Sequence, residues 1–168
     1  MNRRDFALRL AALASLPWLP ACSRAAPAPG LGELGHPAAY WRPLLRPEQF
    51  HVLFEAGTER PGSSPLNHEK RAGTFICAAC FLPLFSSKTK YDSGTGWPSF
   101  WQPLPDCIGT RPDHTLWVER TEYHCRRCGG HQGHVFEDGP PPTGLRYCNN
   151  GLALEFVPEG QALPALRG

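Results

Sequence analysis

Two Cys-x-x-Cys pairs, Cys77 with Cys80 and Cys125 with Cys128, constrain this chain more than any other feature, because four thiolates in two matched pairs suit a tetrahedral zinc ion. The first pair follows the extended run Gly73-Thr74-Phe75-Ile76 and is followed by another from Phe81 to Phe85. The second follows the alternating stretch Thr115 to His124. Both therefore read as knuckles at strand ends, closing on one ion. Forty-four residues separate Cys80 from Cys125, against about 15 to 20 in a compact zinc ribbon. The metal is expected to staple distant parts of one larger domain. Two disulfides are the competing reading, open to an exported chain. The repeated three-residue spacing favours one structural zinc per chain.

The rest of the 168 residues must supply a fold around that staple. Seventeen glycines and nineteen prolines are too many for a helical protein, and the aromatic and β-branched runs between them predict a loop-rich, mainly β domain. One modest helix is expected over Pro47 to Ala56, with proline in its first turn and Gly57 after its end. The tail after Val157 is expected to be loose.

Residues 1–21 read as an export signal: Arg3-Arg4 and Phe6 resemble a twin-arginine motif, and an apolar stretch follows. Arg9, Pro17 and Pro20 break that stretch, which argues against a membrane-spanning helix. Leu19-Pro20-Ala21-Cys22 resembles a lipobox, making Cys22 a candidate lipid anchor; ordinary cleavage to a soluble periplasmic protein is the alternative. Residues 22–39 read as a flexible tether and 40–168 as the domain. Either route places the protein outside the cytoplasm. Three of the seventeen basic residues and one of the fifteen acidic ones precede Cys22, so the remainder balances at fourteen of each. That neutrality excludes a nucleic-acid partner, which needs clustered Lys and Arg.

Cys148 stands outside the metal set. Arg146 lies two residues before it and Asn150 two after, a cation and an amide able to surround a thiolate, while His131 and His134 are candidate proton sources. Lys90-Tyr91-Asp92-Ser93-Gly94-Thr95-Gly96-Trp97-Pro98-Ser99-Phe100-Trp101 is too rich in Gly, Ser and aromatics for a plain strand. It reads as a shaped loop whose rings either pack or offer a substrate an apolar face.

Taken together, these motifs resemble the B-type methionine sulfoxide reductases, which act on the R epimer. The similarity runs from about Glu48 to Val157 and includes Thr58-Glu59, both Cys-x-x-Cys pairs, Pro83-Leu84-Phe85, Gly96 to Phe100, Arg120-Thr121-Glu122, Gly133-His134-Val135-Phe136, Asp138-Gly139-Pro140 and Pro142 to Cys148. The resemblance implies two antiparallel sheets with a few short helices, and a structural zinc on Cys77, Cys80, Cys125 and Cys128 away from the chemistry. It makes Cys148 the nucleophile, His134 the proton donor with His131 beside it, and Trp97 the cage for the substrate methyl group. Arg146 and Asn150 become polar neighbours of the nucleophile. The implied product on the enzyme is a Cys148 sulfenic acid. Implied partners are proteins or peptides carrying methionine-R-sulfoxide and a thioredoxin-like reductant, and the protein is expected to be a monomer.

The chain departs from the family pattern at Thr95, where many members carry a resolving cysteine. Cysteine arithmetic leaves Cys107 as the candidate replacement, with direct reduction by an external thiol as the alternative. Two further readings stand beside the repair enzyme. A zinc-stapled interaction module without redox activity predicts that Cys148 is dispensable. A zinc hydrolase is weakest, because four thiolates leave no open coordination position.

Overall fold

The computed structural model describes residues 32–168; the expected signal over residues 1–21 and the candidate anchor Cys22 lie outside the described residues. Two short helices, α1 (Ala38–Trp41) and α2 (Pro47–Phe54), precede the strands β1 (Gly73–Cys77), β2 (Pro83–Ser86), β3 (Lys90–Tyr91), β4 (Ser99–Phe100), β5 (Ile108–Asp113), β6 (Arg120–Cys125), β7 (His131–Phe136), β8 (Arg146–Asn149) and β9 (Leu154–Pro158). They form one sheet in the order β2-β1-β9 and a second in the order β3-β4-β8-β7-β6-β5. All the pairings are antiparallel. The expected mainly β architecture of two antiparallel sheets is what the chain adopts.

Aromatic side chains fill the space between the sheets. Phe85 of β2 stacks on Phe100 of β4 at 4.2 Å, and Phe75 of β1 meets the edge of Phe100 at 4.9 Å. Tyr123 and Tyr147 continue the cluster from β6 and β8, with centroids 5.4 Å apart. Emptying one of these ring sites would cost about 3–5 kcal/mol. This packing also orients the site. Tyr147 faces the core, so strand alternation turns its neighbours Arg146 and Cys148 to the opposite face of the large sheet.

Three boundaries differ from the sequence-based expectation, each for a local reason. The helix α2 stops at Phe54 because Ala56 adopts a left-handed φ of 50°, and the N–H groups of Glu55 and Gly57 both donate to the His51 carbonyl, at 3.2 and 3.0 Å. The alternating run before the second cysteine pair becomes strand only at Arg120. Asp113 Oδ1 accepts from the Thr115 N–H and hydroxyl at 2.9 and 2.7 Å, turning the chain into an exposed tip that carries Leu116, Trp117 and Val118. Docked chain begins ahead of residue 40. Glu33 and Leu34 donate backbone hydrogen bonds to the Arg126 and Arg127 carbonyls, both at 3.0 Å, and Trp41 of α1 is fully buried, stacked on Phe54 at 5.7 Å.

The tail is likewise docked rather than loose. The Arg167 N–H bonds the Cys80 carbonyl at 3.0 Å, and its guanidinium donates to the carbonyls of Ala78 and Ala79, both at 2.6 Å. Arg127 in turn holds the carbonyls of Arg167 and Gly168, at 2.6 and 2.9 Å. The two ends of the described chain therefore close over the two cysteine turns.

Candidate active site

The two cysteine turns share one geometry. The N–H of Phe81 donates to the Cys77 carbonyl at 2.9 Å, and that of Gly129 to the Cys125 carbonyl at 2.8 Å. Phe81 and Gly129 both take left-handed φ values, 64° and 76°. Glycine does so without strain; at Phe81 the conformation costs about 1–2 kcal/mol. The Arg167 guanidinium lies 4.2 Å over the Phe81 ring and holds it in place. All four thiols are buried, and their sulfurs lie within 4.8 Å of one another. Two of the separations cross between the turns, Cys77 to Cys128 at 3.6 Å and Cys80 to Cys125 at 3.5 Å. Disulfides need about 2.05 Å, whereas tetrahedral zinc with Zn–S bonds of about 2.3 Å sets sulfurs about 3.8 Å apart. The cluster fits a structural zinc ion.

Cys148 lies on β8, directly opposite His134 of β7, which is opposite Glu122 of β6, which is opposite Arg111 of β5. Cys125 is two strands across and three residues along from Cys148, which sets the metal centre about 14 Å from the Cys148 backbone. A hydrogen-bonded path still joins them. Gln132 donates to Cys77 Sγ at 3.5 Å and accepts from Asn149 Nδ2 at 3.4 Å, next to Cys148. The metal end thus holds the strand that carries the thiol.

Each histidine has a carboxylate behind it. His134 Nε2 bonds Asp113 Oδ2 at 2.7 Å, and Arg120 donates to the same oxygen at 2.6 Å. The Thr115 hydroxyl and N–H, His134 and Arg120 together hold the Asp113 carboxyl well below the usual carboxylate range. Being ionised, Asp113 can only accept, so the His134 proton sits on Nε2 and Nδ1 is left for other work. Burial lowers the His134 pKa, against the pull of Asp113. His131 is buried, with Nδ1 2.9 Å from Glu122 Oε1. Arg111 grips that carboxylate twice, at 2.6 and 2.8 Å. Burial pushes Glu122 up, but the hydrogen bonds from His131 and Arg111 outweigh it and hold the carboxyl at about 2.

On the other side of Cys148, Arg146 makes a bidentate pair with Asp138, at 2.7 and 2.8 Å, and lies 4.3 Å over the Phe136 ring. Burial pushes the Cys148 thiol above its ordinary pKa; the Arg146 charge and hydrogen bonds from Thr95 and Arg146 oppose it. The cation is present as expected, but with half its charge spent on Asp138 it does not overcome desolvation in the ligand-free site.

Cys148, His134, Trp97, Asn150, Thr58, Arg120 and Phe136 surround a cavity of about 150 Å³. The Trp97 indole N–H is anchored on the Glu59 carbonyl at 3.2 Å. Asn150 reaches the cavity wall, yet its amide is committed to backbone: Oδ1 accepts from the Glu59 N–H at 3.1 Å and Nδ2 donates to the Gln132 carbonyl at 3.1 Å. It braces the wall. Glu59 completes that brace by accepting from the N–H groups of Gly151 and Leu152. Sequence reasoning missed Asp113 as a site residue, since nothing local ties it to a histidine 21 residues away. Glu59, Glu122 and Asp138 stood in quoted motifs without a role.

Cys107 is not brought to this site. Its thiol donates to the carbonyls of Leu104 and Leu84, at 3.0 and 3.4 Å, and belongs to the core between the sheets, whereas Cys148 projects from the other face. Burial raises its pKa to about 11. A disulfide with Cys148 would require the large sheet to open.

Fold and site define a class: a β protein stapled by four thiolates, with one separate, cavity-facing cysteine set among histidines and an arginine for thiol chemistry. The comparisons with known proteins agree with it. Residues 45–158 match the SelR domain. The chain is 53% identical over 121 residues to the peptide methionine sulfoxide reductase MsrB of Agrobacterium fabrum, covering 71% of this chain and 90% of that protein. It is 55% identical over 124 residues to the protein of the same name in Pseudomonas putida, covering 73% and 92%. The namesake in Methanosarcina mazei is 52% identical over 120 residues, covering 71% and 86%. The chain belongs to the SelR domain family.

Proposed function

We propose that this protein reduces methionine-R-sulfoxide in proteins to methionine, with Cys148 as nucleophile and a Cys148 sulfenic acid as the enzyme-bound product. The observation that carries the reading is the row Cys148, His134, Glu122 across three strands, opening on a cavity walled by Trp97. Identity above 50% to proteins named peptide methionine sulfoxide reductase MsrB supports the substrate class. The interaction-module reading leaves this row without a purpose.

The chemistry follows from the groups present. Attack on a sulfoxide sulfur needs a thiolate and a proton for the departing oxygen at the same moment. His134, neutral at rest with Nε2–H on Asp113, takes the Cys148 proton on Nδ1. It then delivers that proton to the sulfoxide oxygen while Asp113 stabilises the imidazolium. The thiolate sulfur takes up the oxygen, and the methionine sulfur keeps the electron pair. Arg146 stabilises the thiolate in this step, and the Trp97 ring packs against the substrate's methyl group. His131, held by Glu122, supports the His134 ring at 5.4 Å. The zinc ion acts only on folding.

Turnover then requires two thiols from outside the chain, which reduce the sulfenic acid to a thiol, release water and leave as a disulfide. Thr95 supports this route by having no sulfur, and Cys107 by lying on the far side of the sheet. A thioredoxin-like protein is the proposed donor. We further propose export on the signal of residues 1–21 and lipid attachment at Cys22, tested by fatty-acid labelling of the natural chain and a Cys22→Ser variant. For the activity, the decisive experiment is reduction of separated R and S epimers of a methionine sulfoxide peptide with dithiothreitol. Strong preference for R, lost in Cys148→Ser, is expected; equal rates on both epimers would refute it.

A further inference from the structure

Beside Cys148 runs a line of hydroxyls that the reaction above does not use. Ser99 of β4 stands directly opposite Cys148 on the neighbouring strand and is fully buried. Its Oγ is 2.7 Å from Ser93 Oγ, which is 2.8 Å from Thr95 Oγ1. The chain thus runs from the residue opposite Cys148 to Thr95, whose hydroxyl favours the Cys148 thiolate. At the other end, Ser99 donates to the Trp97 carbonyl at 3.1 Å. Each of the two hydroxyl–hydroxyl contacts can be donated from either side.

We propose that Thr95, Ser93 and Ser99 form a reversible hydroxyl chain that turns over as Cys148 ionises and delivers a hydrogen bond to its thiolate. The proposal deepens the reading of Cys148 as the nucleophile and rests on it. With Cys148 a thiol, the chain runs one way: S–H to Thr95, Thr95 to Ser93, Ser93 to Ser99, Ser99 to the Trp97 carbonyl. Each hydroxyl then donates once and accepts once. With Cys148 a thiolate, the thiol proton has gone to His134 or solvent. Three hydroxyl rotations, breaking no O–H bond, then point Ser99 at Ser93, Ser93 at Thr95, and Thr95 at the sulfur. The thiolate gains a charge-assisted donor, polarised by two more behind it. The hydrogen bond given up in exchange is the neutral one to the Trp97 carbonyl. A sulfur at position 95 would be a much weaker donor than the hydroxyl this chain carries there.

Thr95 is the member of the chain that acts on the thiolate; Ser93 and Ser99 are positioning residues acting through it. The charged and titratable groups that also face Cys148 are Arg146 on its own strand, His134 across on β7, Arg120 of β6 across the cavity, Asp138 beyond β7 and Tyr91 on β3. None belongs to the chain, so substitutions within it leave them in place.

The test is the pH dependence of Cys148 alkylation by iodoacetamide in the zinc-loaded protein, read by mass spectrometry of the Cys148 peptide. Thr95→Val is expected to raise the apparent thiol pKa by roughly one unit, a tenfold loss of thiolate below it, and Ser93→Ala by roughly half a unit. Thr95→Ser, which keeps the hydroxyl, is expected to titrate like the natural protein. Zinc content and near-ultraviolet circular dichroism confirm folding. Natural titration of Thr95→Val or Ser93→Ala overturns the chain, as does a Thr95→Ser shift equal to that of Thr95→Val. Alkylation needs no sulfoxide, so failure here is separable from failure of the epimer assay.

Discussion

Replacing Glu122 by glutamine tests the carboxylate behind His131, with a size that follows from the structure. The side chain is almost fully buried between His131 and two bonds from Arg111, and its pKa falls from the ordinary 4.5 to about 2. A depression of that size corresponds to about 3 kcal/mol of stability at neutral pH. The folded pKa is depressed, so the contribution is present in full above the unfolded value of 4.5 and drains away as pH falls towards 2. By the same relation about half of it is left near pH 3. Glutamine keeps the shape but not the charge, and leaves Arg111 without a counter-ion. Glu122→Gln is therefore expected to lose about 2–3 kcal/mol at pH 7 and about half as much near pH 3. The assay is urea unfolding of both proteins, compared at each pH so that acid release of zinc, common to both, cancels. A loss under about 1 kcal/mol at pH 7, or one that does not shrink on acidification, refutes the reasoning.

Asp113→Asn removes the anion that favours the His134 imidazolium, so its pKa should drop further. The ascending limb of the pH–rate profile, on which His134 loses its proton and becomes the base, then moves to lower pH, while the weaker base and its unsupported imidazolium give at least about a tenfold fall in kcat/KM at neutral pH. Protein purified under reducing conditions is expected to carry one zinc per chain, measured by a metallochromic indicator after thiol modification. A chain ending at Leu163, lacking Arg167 over the Cys77 turn, should surrender that zinc to a chelator faster; equal release rates would remove the tail from the metal centre. Cys107→Ala is expected to cost about 1 kcal/mol as a small core truncation and to leave thiol-dependent turnover unchanged. A Cys107 to Cys148 linked peptide after a single turnover without reductant would contradict the placement of Cys107 in the core.

What was legible in the sequence was legible because it is local. The paired Cys-x-x-Cys turns, the Gly and Pro punctuation between short apolar runs, and Cys148 with Arg146 at its second neighbour all follow from spacing along one strand or turn. So does the start of α2 at Pro47, while its end at Phe54 depends on the left-handed Ala56 and the His51 carbonyl. The docked N-terminal segment and tail were missed because composition reports how flexible an isolated segment would be. Whether Arg126, Arg127 and the Ala78 and Ala79 carbonyls wait for it is decided elsewhere in the chain.

The sequence by itself determined the donor set for the metal, Cys148 as the nucleophile candidate, and the histidines near it, since residue type and short spacing settle what each group can do. Tertiary structure alone decided which partner each group has. Antiparallel register put Cys148, His134, Glu122 and Arg111 in one row. Strand alternation sent Cys148 to one face of the sheet, while core packing kept Cys107 on the other. The turn at Asp113 brought a carboxylate to His134. Ionisation and reactivity depend on charges and dipoles within a few ångströms, and long-range strand pairing sets those neighbours.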